Sequence, residues 1–159
     1  FFMIGTTMEE SNATVVKRAD EEGHLVLNHT FTHPHLSNLD ENNITDQLDR
    51  AATRIEEITG HYPILYRPPY GSINPLVVRT VNAHGLTTVL WSLDSLDWTL
   101  KDPDAVVENV TSHIRNGDII LMHRNHVSAA ALPAVIDRLS KMRYTFVRLD
   151  ELLCIKAYR

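Results

Sequence analysis

The sequence predicts an α/β protein built from parallel strands with helical crossovers. Short apolar runs alternate with amphipathic segments of helical period along the whole chain. Gly, Asn and Pro punctuate that alternation where helices should start and stop. The chemically unusual residues, His29, Arg67, Asp94 with Asp97, and His123, all lie at or just past the C-terminal ends of four different apolar runs. In a closed parallel barrel those ends form one mouth, where sites are built, whereas an open sheet gathers only those near one switch point. The pattern favours the barrel.

The elements follow in order. Phe1 to Ile4 reads as a strand and Ser11 to Glu22 as a helix with Val15, Val16 and Ala19 on one face and Gly23 as its stop. Leu25 to Leu27 is the second strand, followed by a long polar loop through Pro34. A helix from about Ile44 to Thr59 carries Ile44, Leu48, Ala51, Ala52 and Ile55 at helical spacing and ends at Gly60. Pro63 to Tyr66 is a third strand. After Pro68-Pro69, Asn74 caps a helix with Pro75 in its first turn, ending at Gly85. Leu86 to Trp91 is a fourth strand. Asp102-Pro103 opens a helix through Val106, Val107, Val110 and Ile114, stopped by Asn116-Gly117. Ile119 to Met122, a helix from about Ala130 to Met142, a sixth strand over Tyr144 to Val147 and a short helix over Glu151 to Ile155 complete the reading.

With 159 residues, 43% of them hydrophobic, the chain is expected to form one domain over residues 1–159 and to bury roughly 70% of its unfolded surface. A net charge of -5 argues against nucleic acid as a partner, since counterion release needs clustered Lys and Arg. No apolar run approaches the ~20 residues that span a bilayer. The single Cys154 forms no internal disulfide and leaves the redox compartment open. Phe1-Phe-Met-Ile4 is an apolar run with no basic or polar lead-in, so the chain is expected to start inside a fold, with upstream sequence removed or on another chain.

Four segments carry candidate chemistry. His29 and His33 lie four apart after a strand, a spacing that lets two imidazoles meet one metal ion, although nine histidines also put some pair four apart by chance. Arg67-Pro-Pro-Tyr-Gly71 is a rigid loop that either directs a guanidinium and a backbone amide into a cleft or holds a structural ion pair. Trp91-Ser-Leu-Asp94-Ser-Leu-Asp97-Trp98 gathers two carboxylates and two indoles, as a site or as a capped turn over a core tryptophan. His123 ends the most apolar strand, where a histidine is either a hydrogen-bonded core residue or, beside a carboxylate, a general acid near neutral pH.

The motifs His-Thr-x-x-His at His29 to His33, Arg-x-Pro-Tyr at Arg67 to Tyr70, Asp-x-x-Asp-Trp at Asp94 to Trp98 and Leu-x-His at Leu121 to His123 resemble the polysaccharide deacetylases of the NodB-homology type, carbohydrate esterase family 4. Order and spacing match over nearly the whole chain. The resemblance implies a distorted (β/α)7-type barrel, here lacking its first strand, and a divalent metal, Zn²⁺ or a similar ion such as Co²⁺. It implies an extracellular or cell-surface hydrolase removing N-acetyl groups from N-acetylglucosamine residues of a polysaccharide, peptidoglycan or chitin-like. Xylan O-deacetylation and non-catalytic carbohydrate binding are the alternatives.

Carried onto this chain, His29 and His33 would bind the metal, and Arg67 would orient the catalytic base. The Tyr70 N–H would help to form an oxyanion hole, Asp97 would tune the general acid His123, and Trp98 and Leu121 would wall the acetyl pocket. The family's paired aspartates, which supply the base and a third metal ligand, have no counterpart in the sequence, so a segment carrying them is the expected partner of this chain. Arg124 stands where relatives usually carry Asp after the final histidine.

Overall fold

The computed structural model describes residues 1–159. Its elements, in chain order, are β1 (Phe2–Met3), α1 (Glu10–Glu21), β2 (Leu27–Asn28), α2 (Glu41–Thr59), β3 (Leu65–Tyr66), α3 (Pro75–Ala83), β4 (Thr87–Thr88), β5 (Leu93–Asp94), α4 (Pro103–His113), β6 (Ile120–Leu121), α5 (His126–Lys141) and α6 (Leu149–Leu153). Two compact units result, one of Phe1–Leu90 with Arg148–Arg159 and one of Trp91–Val147.

In the first unit four strands pair in sequential order, all parallel, with Phe2 opposite Leu27, Asn28 opposite Tyr66 and Leu65 opposite Thr87. Parallel neighbours need a long crossover, and α1, α2 and α3 supply it. Gly60 ends α2 at φ 79° and Asn74 Oδ1 accepts the Val77 N–H at 2.9 Å, as expected, whereas α2 starts at Glu41 rather than near Ile44, because the Asp40 carboxylate caps it by accepting the Asn43 N–H at 2.9 Å. α2 lays Ile44 and Leu48 into a core with Leu36, Tyr66, Val77, Val81 and Leu86, while Ile55 joins Met8, Val16 and Val26.

The second unit pairs β5 with β6 in parallel, Leu93 opposite Ile120 and Asp94 opposite Leu121. α4 and α5 pack through Val106, Val107 and Val110 against Val127, Ala131, Val135 and Leu139.

Three further sequence expectations need correction. Residues 144–147 form no strand: propensity needs a pairing partner, and Phe146 and Val147 are exposed. The strand expected over Leu86 to Trp91 is only Thr87–Thr88, because the carbonyls of Val89 and Leu90 accept from the Arg67 guanidinium. The helix expected from Ala130 starts at His126, capped by Asn125, whose Oδ1 accepts the Ser128 N–H at 2.8 Å.

Gly5 shows how tightly the first unit closes around the loop after β2. Its N–H donates to the Thr30 carbonyl at 2.9 Å, and a Cβ here would sit 2.2 Å from Phe31 Cδ2 and 2.9 Å from Phe31 Cα. Because the second clash is with backbone, the ring cannot simply turn away. Gly5→Ala should therefore destabilise the protein by about 2–3 kcal/mol, at the upper end of overpacking costs, read as a lowered thermal midpoint. A midpoint within a degree of wild type would show that the loop yields.

Candidate active site

The predicted residues lie just past strand ends, as the alternation requires: His29 after β2, Arg67 after β3, Asp94 ending β5 and His123 two residues after β6.

In the first unit, His29 is held by its backbone N–H, which donates to the Met3 carbonyl at 3.1 Å. Its Nδ1 lies 2.7 Å from the Arg67 carbonyl oxygen. A carbonyl only accepts, so Nδ1 carries the proton and Nε2 keeps a lone pair for another partner. That Nε2 stands 3.2 Å from His33 Nε2, with the rings edge to face at 4.8 Å. Two tetrahedral Zn–N bonds of about 2.0–2.1 Å place their nitrogens about 3.3 Å apart, so the pair fits two positions of a zinc-like ion. No third His, Cys, Asp or Glu of residues 1–159 joins them in a metal-holding group.

Arg67 is buried. Its Nε donates to the Val89 carbonyl at 3.3 Å and its Nη2 to the Leu90 carbonyl at 3.0 Å, and its guanidinium lies 4.1 Å above the Phe2 ring. Burial pulls its pKa down to about 10, which leaves it cationic at neutral pH. Tyr70 sits in the left-handed region at φ 58° within the short turn Pro69–Gly71. Its exposed ring stacks on His35 at 3.9 Å and meets His33 edge-on at 4.7 Å.

In the second unit the Asp97 side chain is wholly buried. Its Oδ1 accepts from His123 Nδ1 at 2.7 Å, and its Oδ2 accepts from the His123 backbone N–H at 2.6 Å, from Asn125 Nδ2 at 3.3 Å and from the Ser128 hydroxyl. Burial pushes this carboxyl up, but the hydrogen bonds from Ser128 and from the His123 backbone and ring outweigh it, so its pKa falls below the ordinary aspartate value. With Nδ1–H committed to a carboxylate, Nε2 is the nitrogen of His123 left to meet another partner, and the side chain remains 46% exposed. Trp98 is 59% exposed, its Nε1 donating to Asp94 Oδ2 at 3.3 Å, whereas Leu121 is buried in β6.

Sequence reasoning missed Asn125 and Ser128. The signal for Asn125 was present, because Asn just before an apolar run of helical period is a helix start, whereas nothing local marks Ser128. It also missed Asn28 as a structural residue: Nδ2 donates to the Leu48 carbonyl at 2.8 Å and Oδ1 accepts the Thr30 N–H at 2.9 Å.

Residues 1–89 match the family model described as polysaccharide deacetylase. A peptidoglycan-N-acetylglucosamine deacetylase of Bacillus cereus is 37% identical over 163 residues, covering 98% of this chain and 75% of that protein. This chain belongs to the polysaccharide deacetylase family. Its α/β alternation is that of the family's (β/α)7-type barrel. The crystal structure of the Bc1960 peptidoglycan N-acetylglucosamine deacetylase, solved with a naphthalenyl N-hydroxybenzamide, matches with a TM-score of 0.94 at 29% identity over 100% of this chain and 76% of its own. BA3943 of Bacillus anthracis, a family pseudoenzyme, has a TM-score of 0.90 at 31% identity over 96% of this chain and 54% of its own. The chain spans 32% of the length of some curated relatives that it matches and 48% of another.

Proposed function

We propose that this polysaccharide deacetylase chain hydrolyses the acetamide of N-acetylglucosamine residues in a cell-surface polymer, with peptidoglycan as the substrate and Zn²⁺ or a similar ion as the cofactor. One observation carries the reading: His29 and His33 bring two Nε2 atoms to the spacing of neighbouring ligands on one divalent ion, with the His29 tautomer fixed by the Arg67 carbonyl. A bound divalent metal lowers the pKa of water and polarises the acetyl carbonyl.

The chain's own residues do the remaining work in this reading. His29 and His33 hold the ion, and a segment bearing paired aspartates supplies the third ligand and the base that Arg67 orients. The Tyr70 backbone N–H donates to the oxygen on which negative charge develops. As the carbon–nitrogen bond breaks, His123 Nε2 gives its proton to the leaving amine, and Asp97 at Nδ1 keeps the ring oriented. The exposed indole of Trp98, with Leu121, forms the wall that receives the acetyl methyl.

Acetate release from peptidoglycan, chitin oligomers and acetylated xylan tests this. Zinc-dependent release from the N-acetylglucosamine polymers, lost in His123→Ala, is the expected result. Release from xylan alone would make the chain an O-acetyl esterase, and no release from any polymer with an aspartate-bearing segment supplied would make it a non-catalytic relative of the BA3943 kind.

A further inference from the structure

Between its two histidines the loop after β2 passes through the left-handed region twice, at Thr30 (φ 67°) and His33 (φ 62°). The β-branched Thr30 is disfavoured there, so its conformation persists only where the surroundings over-determine it. One side is fixed by β1 and the turn after it, since the N–H groups of Gly5 and Thr6 donate to the carbonyls of Thr30 and Phe31 at 2.9 and 2.8 Å. The other side is fixed by one side chain of α2. Gln47 Oε1 accepts the Phe31 N–H at 3.1 Å, the Thr32 N–H at 2.8 Å and the Thr32 hydroxyl at 3.1 Å.

Two successive N–H groups converging on one oxygen form a concave nest of the kind that takes anions. Here a neutral amide oxygen fills it. Gln47 is 9% exposed and follows Ile44 by three residues on the buried face of α2, where helical period calls for an apolar side chain. A buried polar residue is tolerated at such a place when its hydrogen bonds are made, and those of Gln47 are spent on the two residues that separate Thr30 from His33.

We infer that Gln47 is a positioning residue for the metal pair: by clamping Phe31 and Thr32 it sets the separation of the His29 and His33 Nε2 atoms. The inference rests on the reading of that pair as metal ligands. A leucine at position 47 would remove the one acceptor shared by two N–H groups and a hydroxyl, releasing the left-handed residues to relax and the imidazoles to part. A glutamate would offer the same acceptor with a charge that suits the nest.

The test is titration of the purified chain with Co²⁺ alone, followed by its visible absorption. In Gln47→Leu the Co²⁺ affinity should fall by about 10- to 100-fold, the size usual for losing a group that orients a ligand, and Gln47→Glu should recover it. Ile55→Val, which trims a different core cluster, should lower the melting temperature and leave Co²⁺ binding unchanged, separating positioning from general loosening. Wild-type affinity in folded Gln47→Leu would overturn the inference. Should that variant fail to fold, Gln47→Asn, which withdraws the acceptor by one methylene, decides by the same criterion. The ligand reading has its own control in His29→Ala: undiminished Co²⁺ binding there overturns both, whereas loss there with none in the Gln47 variants overturns only the role of Gln47.

Discussion

With an aspartate-bearing segment supplied, His29→Ala should abolish stoichiometric zinc binding and bring acetate release to background, a larger loss than the roughly 10–100-fold that follows removal of a group behind a ligand. The argument is one of ligand number: zinc sites in hydrolases use three protein ligands, and removing one of two imidazoles leaves nothing on this chain to define a coordination geometry. His33→Ala should do the same. His84 is the control, because its Nδ1 contacts the Thr80 carbonyl at 2.8 Å within α3 and the C-terminal turn that follows it. Zinc content measured by atomic absorption, alongside acetate release, checks all three variants. Retention of one zinc per chain in His29→Ala would place the metal elsewhere.

Asp97→Asn should lower kcat by on the order of 10²-fold, within the range that general acid–base groups contribute, while leaving zinc content unchanged. The amide preserves the volume but removes the charged acceptor that meets His123 Nδ1–H at 2.7 Å, so the ring loses the contact that fixes its tautomer and orientation. A second signature lies in stability. The Asp97 carboxyl is depressed in the folded protein, so its stabilisation is fully present above the unfolded aspartate pKa of about 3.9 and is lost as pH falls through the lower folded value. Wild type should therefore exceed the D97N protein in stability at neutral pH, with the gap closing below about pH 4. Urea midpoints across that interval check it, and a gap that stays constant into strong acid would remove the carboxylate from the account.

Much of this was legible in the residues. The caps Asn74 and Asp102 and the stop at Gly60 were readable because capping is local chemistry, complete within four residues. The pairing of Asp97 with His123 could be anticipated because both fall at strand ends. What escaped was the chemistry that depends on distant atoms. Thr87–Thr88 is short because a guanidinium 22 residues earlier claims the next carbonyls, and no periodicity in Leu86 to Trp91 records that. Ser128 reads as one more polar residue near a helix start until the Asp97 carboxylate is beside it. Gln47 reads as an interruption of an apolar face, and only the backbone of residues 31–32 gives it a reason.

The sequential parallel order of the strands also governs how the chain reaches its native state. Every ladder joins partners at least 22 residues apart in sequence, such as Phe2 with Leu27 and Asn28 with Tyr66, and none is a hairpin. Each pairing must therefore close a loop containing a helix before its few hydrogen bonds form, and entropy is lost ahead of any gain. The capped helices form early in such a search, and the two-residue strands are registered late. The His29 turn takes its shape from β1, β2 and α2 together, so its two imidazoles converge only near the end of folding. On the proposed reading of these imidazoles as ligands, a metal captured there would hold a nearly finished fold in place, so zinc should slow unfolding far more than it speeds refolding.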